Sequence, residues 1–474
     1  MNEAVKELRL WRLASPVVVA AIALAAGAAA GLFPGETASA RASEEWIATW
    51  ATAQLVMPAP TRGGSPAPSP GQSTTAPPPA ADGRTGGFPA ASTPQPGGAT
   101  DDGNARRPTR NANPSNIPLS LEDQTIRMVV RASVGGRRVR IALTNMLTGS
   151  PLHVGAAHLA LHAGNGQIQD RTDRTLSFAG LPDVVVPPGA LLLSDPVDLD
   201  VDPLADIAVS IYLPHDTGPP TSHIVGLRTA YIARGNVVAS SSLPNATPTY
   251  AYLWLSGVEV MAPASAVGVV AFGDSITDGY ATTRDANQAW PTLLARRLAT
   301  ERRGRPVAVI NQGISGNQVL RNGAGLSALT RFDRDVLGPP NVTWMILLEG
   351  INDINIRGRV EAPDALTASE LIGGYRQLIA RAHAHGIKVL GATLTPEEGV
   401  PTASARGEAI RQAVNQWIRT SHTFDAVVDF DVVLRDPTRP TRLRGEYDPG
   451  DHIHPNDLGN QAMANAFDLS LFSR

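Results

Sequence analysis

The alternation of apolar and polar residues divides the chain into two parts with different patterns. Between Thr125 and Tyr252, short apolar runs are separated by Pro, Asp and Gly and show no strong helical period, which is typical of β-strands. From Val267 onward, apolar runs alternate with stretches at helical spacing. The pattern therefore predicts an all-β region followed by an α/β region.

The β-rich region, residues 43–262, is predicted to be a β-sandwich. The run EWIATWATAQL, from Glu45 to Leu55, is expected to form its first strand. The runs TIRMVVRAS and RRVRIALTN flank Gly135 and Gly136, and this arrangement predicts a hairpin. Because further short runs follow, separated by turn residues, we expect an all-β sandwich. The other candidate strands are HVGAAHLAL, GALLLSDPVDL and ADIAVSIYLP.

Residues 57–118 interrupt this region with a segment rich in Pro, Gly, Ser, Thr and Ala. Such a composition buries too little apolar surface to offset the entropy lost on ordering, so we predict a disordered insertion. A strand is predicted before the insertion and others after it. The insertion is therefore expected to be a long loop of the β-rich region, which costs only modest entropy.

Residues 263–474 are predicted to form an α/β domain with three layers, α/β/α. Runs that are apolar on both faces belong to strands covered by helices on both sides, which predicts a parallel sheet of about five strands. Ligands bind such sheets at the carboxyl ends of the strands. The strand candidates are VGVVAF, PVAVINQ, VTWMILLEG, IKVLGATL and AVVDFDVVL, and the main helix candidates are WPTLLARRLAT and ELIGGYRQLIARAHAHG.

The N-terminal segment, residues 1–42, is interpreted as an export signal. Three basic residues precede an apolar stretch from Ala14 to Phe33, and small residues at 38–42 offer cleavage sites. An uncleaved membrane anchor is the alternative, although the stretch is mostly Ala, Gly and Val. We expect a secreted protein without stable membrane insertion after cleavage.

Composition narrows the classes of function. The chain of 474 residues is 43% hydrophobic and 18% charged, as in globular proteins. It is longer than the chains that usually fold around a single hydrophobic core. A net charge of −3 provides no basic field for nucleic acid or an anionic membrane, so we expect an uncharged or weakly charged substrate. The chain has no cysteine, which excludes disulfides and thiol-attached lipids.

Three strand ends carry candidate chemistry. The strand from Val267 to Phe272 runs into GDSITDG, which places Ser275 where a strand turns into a helix. Ser275 followed by Asp278 also resembles a helix capping box, so this segment alone leaves both interpretations open. The next two strands end in QGISGN and EGIND. A Gly N–H and an Asn amide at such positions could donate to an oxyanion, although each segment alone also fits a turn or cap.

The segment DPGDHIHPN, residues 448–456, precedes a final helix predicted to begin near Asp457. A serine becomes a good nucleophile when a neutral imidazole takes its proton and a carboxylate orients that imidazole. Asp451 and His454 could supply both groups from one loop. A metal site built from His452 and His454, or solvated loop histidines, are the alternatives. Few further ligands lie nearby in the sequence, so we expect no metal or other cofactor.

These four segments, in this order, resemble the sequence blocks of the SGNH hydrolases, or GDSL esterases and lipases. The resemblance covers Val267 to Phe472, and Ile276 replaces the Leu of the name-giving motif with a similar volume. The α/β-hydrolases also use Ser, Asp and His, but their G-x-S-x-G motif is not met, because Asn317 stands at its last position. The β-rich region is similar to the accessory domain of many bacterial members.

The resemblance implies a flavodoxin-like SGNH fold and a catalytic triad of Ser275, Asp451 and His454. It also implies an oxyanion hole formed by the N–H groups of Ser275 and Gly316 and the side chain of Asn352. The expected function is the hydrolysis of a small-molecule, lipid or acetylated carbohydrate ester. A carbohydrate-binding or cell-wall-associated module with a weakly active or inactive hydrolase domain is the alternative.

Overall fold

The structure, a computed structural model, describes residues 43–56, 117–146, 148–301, 304–359 and 365–473. The predicted export signal and nearly all of the predicted insertion lie outside the described residues. The described residues belong to one compact unit that begins at Ser43, and the predicted boundary between residues 262 and 263 stays a prediction. In these described ranges, no helix is both long and apolar enough to span a membrane.

The β-rich region consists of antiparallel strands, most of them short. Its strands are β1 (Glu44–Ala51), β2 (Leu55–Val56), β3 (Gln124–Arg131), β4 (Gly136–Thr144), β5 (Leu152–Val154), β6 (Ala156–Gly164), β7 (Gln167–Ile168), β8 (Arg174–Thr175), β9 (Val184–Val186), β10 (Leu191–Leu193), β11 (Val197–Val201), β12 (Asp206–Leu213), β13 (Thr221–His223), β14 (Ala230–Arg234), β15 (Thr247–Thr249), β16 (Tyr252–Leu253) and β17 (Leu255–Pro263), with a 3-10 turn at Asp170–Thr172.

Two larger antiparallel sheets share one apolar core. The first has the order β1-β17-β4-β10, with β11 also paired to β4, and the second has the order β15-β14-β3-β12-β6-β7, with β8 paired to β6. Side chains such as Ile47 and Val258 from the first sheet and Val209 from the second lie in the same buried cluster. Smaller sheets are β16-β13-β2 and β5-β9. That the two larger sheets form a sandwich stays a prediction.

The predicted hairpin around Gly135 and Gly136 is wrong, because β3 and β4 lie in different sheets. A two-residue hairpin turn of type I′ needs positive φ at both central residues, and neither glycine has it. The glycines instead allow close packing of backbones. A Cβ at Gly135 would lie 2.3 Å from the carbonyl oxygen of Val201, and one at Gly136 would lie 2.4 Å from that of Met261. The chain therefore crosses from one sheet to the other here.

The α/β region alternates strands and helices as the sequence predicts. Its strands are β18 (Val267–Gly273), β19 (Val307–Gly313), β20 (Val342–Leu348), β21 (Lys388–Ala392) and β22 (Ala426–Val428). Its helices are α1 (Ser275–Asp278), α2 (Trp290–Thr300), α3 (Ala328–Phe332), α4 (Ile351–Arg357), α5 (Ala368–Ala384), α6 (Ala405–Thr420), α7 (Phe430–Leu434) and α8 (Asp457–Asn465), with a π-helical turn at Asp333–Leu337 and a 3-10 turn at Leu469–Ser473.

The five strands form a parallel sheet with the order β19-β18-β20-β21-β22, which confirms the predicted α/β fold with about five parallel strands. All seven residues of β18 are buried, as expected for a strand covered on both faces. Because β18 lies between β19 and β20, the segments that follow these three strands are neighbours at one edge of the sheet. This edge carries the three candidate segments.

The two regions pack against each other through β1. Ala48 and Ala51 of β1 belong to the apolar cluster of the α/β region, and Ala308 of β19 belongs to that of the β-rich region. The N–H of Val309 also donates to the hydroxyl of Ser133 at 3.2 Å. The β-rich region therefore covers part of β19, the terminal strand of the parallel sheet.

Candidate active site

Ser275 is the first residue of α1, directly after β18. The residue that caps this helix is Asp274, whose carboxylate accepts the N–H of Ile276 at 3.0 Å. The interpretation of Ser275 as the helix cap is therefore wrong, and its hydroxyl is available for another partner. Because Ser275 occupies the first position of a helix, its N–H has no acceptor within that helix.

His454 lies between Ser275 and Asp451. Its Nε2 is 2.8 Å from the hydroxyl oxygen of Ser275, and its Nδ1 is 2.9 Å from a carboxylate oxygen of Asp451. A carboxylate accepts a hydrogen bond, so Nδ1 carries the proton and Nε2 can accept the serine proton. The structure thus brings together the three residues that the sequence proposed as a triad.

Asp451 is fixed by its own loop. Its other carboxylate oxygen accepts the N–H groups of Ile453 and His454 at 3.2 and 3.0 Å. Burial by itself would raise the pKa of Asp451, but its hydrogen bonds with His454 and Ile453 and the charge of His454 bring that pKa below its usual range. The ring of Tyr280 also packs on His454, with centroids 4.4 Å apart. Asp451 is therefore ionised and able to stabilise a positive charge on His454.

Gly316 and Asn352 lie at the neighbouring strand ends. Gly316 follows β19 with a φ of 83°, and a Cβ there would lie 2.9 Å from the side chain of Ala324, so only glycine fits well. Asn352 lies in α4, directly after β20, and its side-chain amide donates to the carbonyl of Asn317 at 2.9 Å. This hydrogen bond joins the two segments beside β18.

His452, the other histidine of this loop, has a different partner. Its Nδ1 lies 2.5 Å from a carboxylate oxygen of Asp448, and its ring packs against Gly399. Over the described ranges, no group of three or more His, Cys, Asp or Glu residues has an arrangement that could hold a metal ion. The structure therefore offers no set of ligands for the alternative metal site in the described residues.

Arg331, a residue that the sequence did not single out, connects the strand ends beneath the site. It lies in α3 and is 1% exposed. Its guanidinium donates to the carbonyls of Gly273 and Gln312 at 2.9 and 2.7 Å and to the side chain of Asn317 at 2.9 Å. It also donates to Asp335 at 3.0 Å. One side chain therefore ties the end of β18 to the end of β19 and to the segment that contains Gly316.

Three buried carboxyl groups near the strand ends have raised pKa values. Burial raises the pKa of Asp274 to about 7, although the N–H of Ile276 and the charge of His454 oppose the shift. Burial likewise raises the pKa of Asp353 to about 6, and it raises the pKa of Glu349 well above its usual range, with the charge of Asp274 adding to the effect. Each raised pKa shifts the carboxyl group towards its uncharged form, which limits the negative charge beneath Ser275 that would repel an oxyanion.

A fourth buried carboxyl group, Glu397, predicts a measurable pH dependence of stability. Burial raises its pKa from 4.5 to about 7. The folded protein then holds this proton more tightly than the unfolded chain, so the stabilisation is fully present below pH 4.5 and is lost as the pH rises towards 7. At about 1.4 kcal/mol per pKa unit, Glu397→Gln should remove a pH-dependent component on the order of 3–4 kcal/mol. Urea unfolding at pH 4.5, 6 and 7.5 measures it.

The neighbouring Glu398 provides the matched control. Hydrogen bonds from Thr441 and Arg442 lower its pKa, so its contribution is present above pH 4.5 and is lost as the pH falls. Glu398→Gln should therefore change the pH dependence in the opposite direction. If both variants follow the pH profile of the wild type, Glu397 does not retain its proton in the folded protein.

Trp290 and Asn317, two residues in or beside the candidate segments, have packing roles. Trp290 is fully buried between Phe430 and Phe467. Asn317 is 1% exposed, and its amide donates to the carbonyls of Ala324 and Leu326. Their side chains are therefore too buried to line an open pocket.

Part of the chain matches the sequence model of a known family. The model of the GDSL-like Lipase/Acylhydrolase family matches residues 271–462, which include the four candidate segments. Comparison with curated proteins gives no match.

Several solved structures are similar to part of the chain. An aryl esterase from M. smegmatis is 18% identical, with a TM-score of 0.34, over 42% of this chain and 95% of the other. A carbohydrate acetylesterase from Sinorhizobium meliloti is 18% identical, with a TM-score of 0.32, over 42% and 95%. A GDSL-like lipase from Bacteroides thetaiotaomicron is 20% identical, with a TM-score of 0.32, over 43% and 85%. The family match shows that residues 271–462 form a GDSL-like lipase/acylhydrolase domain, so the protein is a carboxylic ester hydrolase.

Proposed function

We propose that the protein is a secreted serine esterase that works through an acyl-enzyme intermediate. One observation carries the proposal: the side chains of Ser275, His454 and Asp451 form a continuous hydrogen-bonded chain, with distances of 2.8 and 2.9 Å, at the carboxyl edge of the parallel sheet. This is the arrangement that activates a serine hydroxyl.

The first half-reaction acylates Ser275. Its oxygen bonds to the ester carbonyl carbon while its proton moves to Nε2 of His454, and the carbonyl electrons move onto oxygen. Asp451 stabilises the imidazolium that forms. When the tetrahedral intermediate collapses, the bond to the alcohol oxygen breaks and His454 returns the proton to the departing alcohol. Water then attacks the acyl carbon while its proton moves to His454. The bond between that carbon and the Ser275 oxygen breaks, His454 returns the proton to the serine oxygen, and the acid is released.

The oxyanion is held by three donors from three strand ends. We assign this role to the N–H of Ser275, the N–H of Gly316 and the side-chain amide of Asn352. Each such donor typically contributes roughly 2.7–4 kcal/mol to stabilisation of the transition state. The hydrogen bond from Asn352 to Asn317 supports this assignment, because it fixes the amide relative to the segment of Gly316.

The substrate class follows from charge and chemistry. The net charge of −3 and the apolar composition favour an uncharged or weakly charged ester, such as a small-molecule ester, a lipid or an acetylated carbohydrate. The mechanism uses only side chains and backbone N–H groups, so it needs no cofactor. The proposed export signal places the reaction outside the cytoplasm.

Labelling with a fluorophosphonate tests the nucleophile directly. The reagent should modify one residue, Ser275, because only a serine paired with an imidazole attacks it readily. Peptide mass spectrometry locates the label, and hydrolysis of p-nitrophenyl acetate should fall in proportion to the fraction labelled. Heat-denatured protein is the control and should remain unlabelled.

The same assay includes treatment with EDTA, which should leave turnover unchanged. Loss of turnover on chelation would favour a metal-dependent reaction. Full labelling of Ser275 with undiminished turnover would contradict the proposed mechanism.

A further inference from the structure

The β-rich region contacts the segment that carries the proposed oxyanion donor Gly316. Ala53 and Leu55, which precede the predicted insertion, form a small apolar cluster with Ile314. Ile314 is fully buried and stands two residues before Gly316. The β-rich region therefore packs against the segment that contains Gly316.

His223 extends this contact with hydrogen bonds. It is the last residue of β13 and is 4% exposed. Its Nδ1 lies 2.8 Å from the carbonyl oxygen of Ala53, and its Nε2 lies 3.0 Å from a carboxylate oxygen of Asp278. A carbonyl oxygen only accepts, so Nδ1 carries a proton. His223 thus spans from the β-rich region to α1, the helix that begins at Ser275.

Asp278 relays this contact to the segment of Gly316. Its second carboxylate oxygen accepts both the N–H of Ser315 at 3.0 Å and the hydroxyl of Ser315 at 2.7 Å. Ser315 directly precedes Gly316 in the chain. One buried carboxylate therefore joins His223, the helix of the nucleophile and the proposed oxyanion segment.

The pair of His223 and Asp278 is an ion pair with little exposure. Its side chains are 5% and 3% exposed. Burial by itself would lower the pKa of His223, but the charge and hydrogen bond of Asp278, with hydrogen bonds to the backbone of Ala53 and Val225, raise it. A charged His223 donates from both ring nitrogens, which matches an acceptor on each side. Neither group can turn away without leaving a buried charge unpaired.

We propose that His223 is a positioning residue of the oxyanion hole: through Asp278 it fixes Ser315, and thereby the direction of the N–H of Gly316. The inference rests on the proposed esterase function and deepens it. The β-rich region then contributes to catalysis, because the side chain of its residue His223 orients the oxyanion donor Gly316 of the hydrolase domain.

The expected kinetic signature follows from the role of an oxyanion donor. Such a donor acts mainly in the transition state, so its displacement lowers kcat and leaves KM nearly unchanged. In contrast, a residue with a purely structural role changes the amount of folded enzyme but leaves the turnover of each active site unaltered. Active-site titration with the fluorophosphonate separates the two cases, because it counts competent nucleophiles.

The test compares two variants of His223 in the full chain. His223→Leu removes both hydrogen bonds, and we expect kcat per titrated site to fall roughly 10- to 100-fold with KM within about twofold of the wild type. His223→Gln can still donate to Asp278, and we expect it to recover kcat to within about fivefold of the wild type. Restoration by the conservative variant would tie the loss to the hydrogen bond with Asp278.

His158→Leu is the matched control. His158 belongs to the same region and bonds Asp173 at 2.8 Å, with a side-chain exposure of 14%, but its partner carboxylate contacts no catalytic segment among the hydrogen bonds of the described residues. Its kcat per site should equal that of the wild type. A fall in kcat similar to that of His223→Leu would mean that any damage to the β-rich region lowers turnover, and this would overturn the proposal.

Ser315→Ala tests the contact between Asp278 and Ser315. It remains informative if His223→Leu fails to fold. It removes only the hydroxyl contact with Asp278, and we expect kcat to fall about three- to tenfold with KM unchanged. Unchanged kcat per site in the folded variants at both positions would overturn the inference. The proposed function would remain if Ser275→Ala is inactive in the same assay, whereas an active Ser275→Ala would refute the esterase mechanism itself.

Discussion

Ser275→Ala should lower kcat for hydrolysis of p-nitrophenyl acetate by about 10⁴- to 10⁶-fold, with the fold unchanged. The hydroxyl of Ser275 is the group that bonds His454 in the structure, and alanine leaves the imidazole without a nucleophile to activate. The oxyanion donors remain in the variant, so a small residual turnover by water is expected. Steady-state kinetics measure the loss, and circular dichroism checks the fold.

A second serine provides the control for this substitution. Ser177 lies in the β-rich region, and its hydroxyl bonds the carboxylate of Asp195 at 2.7 Å. Ser177→Ala removes a hydroxyl with a charged partner but leaves the catalytic edge intact, so turnover should match the wild type. If Ser275→Ala retained more than a hundredth of the wild-type turnover, the acyl-enzyme step would not be the main route.

The sequence predicted the α/β region well because its signals are local. A strand such as β18, buried on both faces, appears in the sequence as an uninterrupted apolar run, and its polar end marks the catalytic edge. The arrangement of Asp451 and His454 was also local, since both side chains come from one loop. What the sequence left open was whether Ser275 caps its helix, and this depended on the side chain of Asp274.

The hairpin prediction failed because a glycine pair is compatible both with a tight turn and with close packing of backbones. Gly135 and Gly136 satisfied the composition of a tight turn, but neither adopts the positive φ that such a turn needs. Their lack of a Cβ instead lets the backbones of Val201 and Met261 approach closely. These contacts lie 66 and 125 residues away along the chain, so no local pattern could reveal them.

The residues that support the site were missed for the same reason. His223 stands 55 residues before Asp278, in a short strand with no motif, and Arg331 stands two residues before a charged turn at Asp333–Leu337. Charged residues are mostly exposed, so a sequence gives no reason to expect either side chain to be buried. Their partners are carbonyls and carboxylates from distant strand ends, which only the folded chain brings together.

Arg331→Met should lower the free energy of unfolding by about 3–5 kcal/mol, because removing one partner of a buried charge network leaves the others unpaired. Methionine has a similar length and fills much of the space. However, it removes one hydrogen-bond donor each from the carbonyls of Gly273 and Gln312 and from the carboxylate of Asp335. Urea unfolding followed by circular dichroism measures the loss. Since the same carbonyls end β18 and β19, kcat should also fall, by roughly tenfold or more.

Arg381→Met provides the control. Arg381 also contacts α3 and donates a hydrogen bond to a carboxylate, but it lies at the surface. Its guanidinium donates to the carbonyl of Leu329 and to Asp333, and its side chain is 33% exposed. An exposed ion pair contributes about 1 kcal/mol or less to the free energy of unfolding. The variant should therefore unfold at nearly the same urea concentration as the wild type and keep its kcat. Equal unfolding midpoints for Arg331→Met and Arg381→Met would show that the strand ends hold their positions without the buried guanidinium. A stable Arg331→Met with reduced kcat would instead assign Arg331 to the alignment of Gly316 with Ser275.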